Sequence, residues 1–76
     1  MKWQRKMADV LNEVMGQSYN LMIINENEFL IHDAVTGGTM GVKTINNLSA
    51  HWKEEIKRAI ILIVTDRINK ALMIIQ

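Results

Sequence analysis

Ala59-Ile60-Ile61-Leu62-Ile63-Val64 is the longest apolar run in a chain of 76 residues, and its period decides the fold. Its β-branched residues suit a buried central strand, with Thr65-Asp66 then capping a short final helix. The flanking pattern favours a helix instead. One stripe, Trp52, Ile56, Ala59, Ile60 and Ile63, enters the run at spacings of three and four. A second, Ile61, Val64, Ile68, Ala71, Leu72 and Ile75, leaves it on another side of the same cylinder. No glycine or proline interrupts residues 50–75, which as a helix extend about 39 Å at 1.5 Å per residue. A helix apolar over so much of its circumference is buried on two sides. The first stripe is expected to cover the chain's own sheet and the second a neighbouring copy, through a two-fold contact. Ser49 is the expected N-cap, with Leu48 before it packing on the stem of Lys53. Glu54 and Glu55 lie near the positive end of the helix dipole.

Upstream the period changes. Asn20–Asn25 is a short apolar run bounded by asparagines, and Glu28–Val35 is a second run rich in strand formers. Asn25-Glu26-Asn27-Glu28 joins them as a hairpin. Thr36-Gly37-Gly38-Thr39 is the next turn, since glycine admits positive φ, and Met40–Ile45 is the third strand. Gly41 weakens that strand and marks a candidate bulge. Both faces of the first strand are apolar: Leu21 and Ile23 point one way, Met22 and Ile24 the other. At the start of the chain, residues 2–18 form an amphipathic helix. Its stripe is Trp3, Met7, Val10, Leu11, Val14 and Met15, and Gly16 is its stop. The expected fold is therefore α+β in one domain spanning residues 1–76. An N-terminal helix leads into a three-stranded antiparallel meander and a long C-terminal helix, the chain being oligomeric through that last helix.

This order is similar to that of double-stranded-RNA-binding domains. Those domains use a cluster of lysines at the start of the final helix to hold phosphate. Here Glu54 and Glu55 interrupt that stretch and the net charge is only +1, so the agreement stops at element order.

Composition narrows the function classes. The chain is 49% apolar and 22% charged with nearly balanced signs, which excludes a disordered chain and a polybasic arm. Absence of cysteine excludes a disulfide framework and thiolate chemistry and suits a reducing compartment, so the expected localisation is cytoplasmic. The charged first twenty residues lack a signal-peptide core, and a six-residue apolar run is too short to span a bilayer. Isoleucine (11) exceeds leucine (6) and lysine (6) exceeds arginine (3), the bias of AT-rich coding, as in low-GC bacteria and their phages.

No catalytic constellation emerges. Ser18 and Ser49 sit at helix boundaries, and no Ser/His/Asp spacing supports a nucleophile. His51 with Glu55, and His32 beside Asp33, fall short of the ligands a zinc site needs; no metal or cofactor is expected. Asp33 is expected at the end of the sheet or inward beside Arg67. Glu54–Arg58 and Asp66–Lys70 have i, i+4 spacing. Two weaker signals remain. Lys2, Arg5 and Lys6 surround Trp3, while Lys53, Lys57 and Arg58 surround Trp52, a pattern compatible with nucleic-acid contact. Thr36, Gly37, Gly38 and Thr39 form a candidate ligand loop whose amides would cradle an anion near a dimer seam. The leading expectation is a small non-enzymatic homo-oligomer acting on another protein, as regulators, adaptors and phage-type inhibitors do. Nucleic-acid binding and small-ligand or nucleotide sequestration stand behind it.

Overall fold

A computed structural model describes residues 2–44 and 47–75. Helix α1 (Lys2–Met15) precedes strands β1 (Tyr19–Asn25), β2 (Glu28–Asp33) and β3 (Thr39–Lys43), and helix α2 (Leu48–Ile75) follows. The strands form one antiparallel sheet in the order β1-β2-β3. This is the α-β-β-β-α order expected, and Ala59–Val64 is helical. The expected end of the third strand at Ile45 lies outside the described residues.

Alternation along the strands fixes which face meets the helices. Tyr19, Phe29 and Ile31 are buried, and Leu21, Ile23, Met40 and Val42 pack against them. From the other side come Met7 and Leu11 of α1 and Leu48, Ile56, Ala59 and Ile60 of α2. The first predicted stripe of α2 is thus the stripe that covers the sheet. The opposite sheet face exposes Met22 and Ile24.

Four local features depart from expectation. Gly41 does not mark a bulge: β2 and β3 pair without interruption from Glu28↔Lys43 to His32↔Thr39. A Cβ at Gly41 would stand 3.3 Å from Leu30 Cδ2, so the glycine makes room for its cross-strand neighbour. The irregularity lies in β1 instead, between Ile23 and Asn25. There the Asn25 carboxamide oxygen accepts from the Asn27 amide at 2.8 Å, an Asx turn that draws the strand into its hairpin. The first helix ends at Met15 rather than residue 18. Gly16, at φ +76°, donates its amide to the Asn12 carbonyl at 2.9 Å, a left-handed cap of the helix.

The fourth departure is the cap of α2. Asn47 holds the helix start, its Oδ1 accepting from the Ser49 amide at 3.0 Å and from the Ser49 hydroxyl at 2.8 Å. Leu48 cannot serve as an outside staple on Lys53, because it is itself helical and wholly buried in the core. A non-helical residue, His51 at φ −126° and ψ 18°, then breaks the first turn, so Glu54 and Glu55 fall in the first turn of the continuing helix. Asn47→Ala should lower stability by about 1 kcal/mol, as loss of an N-cap does. Ser49→Ala should leave the urea midpoint nearly in place, which separates the observed cap from the expected one.

The hairpin turn also anchors the start of α2. Thr44 donates its amide (2.7 Å) and its hydroxyl (3.0 Å) to the Asn27 carbonyl, and the Leu48 amide donates to the Glu26 carbonyl at 2.7 Å. From that anchor α2 runs the long axis of a molecule measuring 43 × 24 × 18 Å. Its 28 residues span about 42 Å. The body beneath it ends near Ile63, and every described residue from Val64 onward is exposed.

Candidate interaction surface

Two sides of α2 carry recesses. On the first, an open groove of about 400 Å³ runs between the helices, lined by Val10 and Val14 of α1 and by Trp52, Lys53, Ile56, Lys57, Ile60 and Ile61 of α2. It continues through Val14 into a second hollow of about 440 Å³ bounded by Met15, Val64, Arg67, Ile68 and Ala71. The lining residues advance in the same order on both helices, so α1 and α2 run in the same direction. The structure thus brings together most of the second stripe in one apolar seam. Ile61, Val64, Ile68, Leu72 and Ile75 are between 38 and 81% exposed.

Sequence reasoning missed part of this surface. Val10 and Val14 belong to the stripe expected to face the core, yet Val14 is 58% exposed and both border the groove. Met7 and Leu11 hold the centre of the α1 stripe, and Val10 and Val14 sit one row to the side, where the sheet no longer reaches. That offset of rows at spacing i, i+4 was available from the pattern. Leu62, Met73 and Ile74 are also exposed but lie off the stripe.

The basic residues do not form one patch. Lys2, Arg5 and Lys6 are exposed on the first turns of α1, and Lys53 and Lys57 border the groove. Arg58 faces away from them, beside Val42, Lys43 and Thr44 of the β3 end. It pairs with Glu55 at 3.6 Å rather than with Glu54. Both tryptophans are half-buried and pack against the core; the Lys53 ammonium sits 5.8 Å from the Trp52 ring centroid, a cation–π distance.

On the other side of α2, a cleft of about 640 Å³ opens between the β2–β3 loop and the projecting half of the helix. Thr36, Gly38 and Thr39 of the expected ligand loop line it, with Asp33, Tyr19, Asp66, Arg67 and Lys70. The loop's amides are already engaged. Val35 and Thr36 donate to Asp33 Oδ1 at 2.9 and 3.2 Å, Gly37 to the Asp33 carbonyl at 2.8 Å, and Gly38 to Thr36 Oγ1 at 3.2 Å. An anion here would meet side chains rather than a cradle of free N–H groups. Those side chains balance in charge, and Lys70 is taken by Asp66 at 2.9 Å.

Asp33 ends its strand and organises this loop. The amide of Thr36 above all, against some burial and helped by the Val35 amide and the Thr36 and Tyr19 hydroxyls, holds its carboxyl below the ordinary 3.8. Arg67 reaches the same cluster indirectly, donating to the Tyr19 hydroxyl at 3.5 Å. Because the folded-state value is depressed, this carboxylate contributes stability above the unfolded value, and the contribution is lost as pH falls through the folded value. Urea midpoints taken at pH 5 and pH 3 should therefore fall less in Asp33→Asn than in the parent chain.

Among the described residues no group of three or more His, Cys, Asp and Glu side chains could hold a metal ion, and no helix is long and apolar enough to cross a membrane. His32 is exposed and faces Thr39 across the sheet at 3.5 Å. Set against family models, curated proteins and solved structures, the chain matches none.

Proposed function

We propose that this chain is a small interaction protein that self-associates through α2 and acts by binding a macromolecular partner, in the manner of a regulator, adaptor or inhibitor. One observation carries the reading. The last three turns of α2 are exposed at every described residue and touch the body only along one edge, yet keep an apolar stripe, which continues into the groove beside α1. Large apolar patches on a soluble surface mark association sites. A helix end without tertiary support gains little from propensity alone, so a stripe maintained there calls for packing from outside.

Small folds lacking disulfides or metal commonly gain stability by oligomerising. With the helix stripe used between copies, the outer sheet face at Met22 and Ile24 is left for a different partner. Light scattering coupled to size exclusion tests the reading, with absorbance recorded at 260 and 280 nm. An oligomer with a protein spectrum supports it. A monomer removes self-association, and a peak rich in 260 nm absorbance turns attention to nucleic acid.

A further inference from the structure

We infer that the partner on the groove is a second copy of this chain lying antiparallel, with the projecting half of each α2 seated in the α1–α2 groove of the other. The inference rests on the self-association reading and adds to it a direction and a register. Ile61, Val64, Ile68, Ala71 and Ile75 recur at alternating spacings of three and four, the a and d positions of a heptad. Continued toward the N-terminus, the same frame puts Lys57 at the next d position.

Lys57 distinguishes the two directions. A parallel, in-register pair would bring Lys57 against the partner's Lys57 inside the seam, two like charges at a desolvating contact. An antiparallel pair centred near residue 66 removes that clash and pairs every layer. Ile61 meets the partner's Ala71, a large side chain against a small one. Val64 meets the partner's Ile68, and Lys57 lies against the partner's Ile75. There the lysine ammonium reaches the final carbonyls of the neighbouring helix, the negative end of its dipole. The last turn of α2 carries no basic residue of its own to meet that end. At Lys57 charge is therefore complementary in one direction and repulsive in the other.

Area and symmetry point the same way. By their fractional exposures, the α2 stripe with Val10 and Val14 leaves roughly 650 Å² uncovered per chain, so two copies bring together about 1,300 Å², within the range of stable interfaces. Each chain also supplies both a ridge and a groove, and a two-fold axis satisfies both at once.

The chain has no cysteine, so introduced thiols report only on themselves. Lys57 and Ile75 are exposed, and replacing them leaves the core untouched. They are 18 positions apart in the chain, about 27 Å along the helix, too far for a bond within one chain. Under mild air oxidation, Lys57→Cys combined with Ile75→Cys should convert most of the protein to a covalent dimer. Each single variant should remain uncrosslinked. Cross-linking by the single variants means a parallel pair and overturns the arrangement. A chain of dimer mass that no variant cross-links also overturns it, while leaving self-association standing on another surface. A chain of monomer mass overturns both.

Discussion

Ile68→Glu should convert the proposed self-associated form to a monomer without unfolding the chain. Ile68 lies at the centre of the α2 stripe and is 54% exposed on a single chain, beyond the last α2 residue packed on the core, Ile63. A carboxylate at this position is solvated when the chain is alone and stripped of water when the stripe is covered. Removing one buried charge from water without a partner costs several kcal/mol. A two-fold interface carries the substitution twice. At about 2 kcal/mol per copy, association weakens by about 4 kcal/mol, close to a thousandfold. The light-scattering mass should fall to that of one chain at micromolar concentrations, while the circular dichroism of the body and its urea midpoint persist. Leu72→Glu should act in the same direction. Met73→Glu, at an exposed position off the stripe, should keep the parent mass. If Ile68→Glu and Met73→Glu behave alike, the stripe is not the contact.

The second large effect concerns the body itself. Phe29 is 0% exposed near the start of the middle strand, paired in register with Ile23 and Val42. It belongs to one core with Met7, Leu11, Leu48 and Ile56, so both helices depend on the volume it fills. Phe→Ala in a packed core costs about 3–5 kcal/mol. A domain of this length has about 4–11 kcal/mol in total. Phe29→Ala should therefore be largely unfolded at room temperature, or hold its fold only at the lowest urea concentrations. Leu30→Ala, one residue along on the half-buried outer face, should shift the midpoint far less. Equal shifts from the two variants would contradict the assignment of faces.

Much of the architecture was legible because periods change sharply along this chain. The strands alternate, the helices repeat at three and four, and the turn residues fall between them. Ala59–Val64 was ambiguous only when taken by itself, and its flanking stripes resolved it. What stayed illegible depended on geometry between elements. Asn47 and Ser49 are both good caps, and the choice fell to Asn47 because Leu48, fixed in the core, brings the helix start two residues earlier. Gly41 looked like a bulge, but its meaning lay in the reach of Leu30 from the next strand. Val10 and Val14 form their own i, i+4 row, readable in the pattern, but nothing in α1 alone shows that the sheet stops short of it. The basic residues near the two tryptophans are neighbours in sequence, yet Arg58 points away from Lys57 because the two lie about 100° apart around one helix. The α2 seam was read from its stripe; its occupant is a matter for the cross-linking and scattering experiments.

If copies pair as proposed, the overhang of α2 would tie the lifetime of the chain to its abundance. Val64–Ile75 prolong an existing helix and are exposed throughout, held to the body only along one edge at Tyr19, Val14 and Met15. An unpaired copy therefore frays there first, because regions with few buried contacts open at low free energy. Arg67 and Lys70 would then become cleavage sites for a protease with basic specificity, and a single cut would remove the C-terminal end of the stripe. A paired copy has those turns covered. Slow synthesis would leave most chains single and short-lived, whereas synthesis past the pairing threshold would let them accumulate, so the helix end would act as a quality check on concentration.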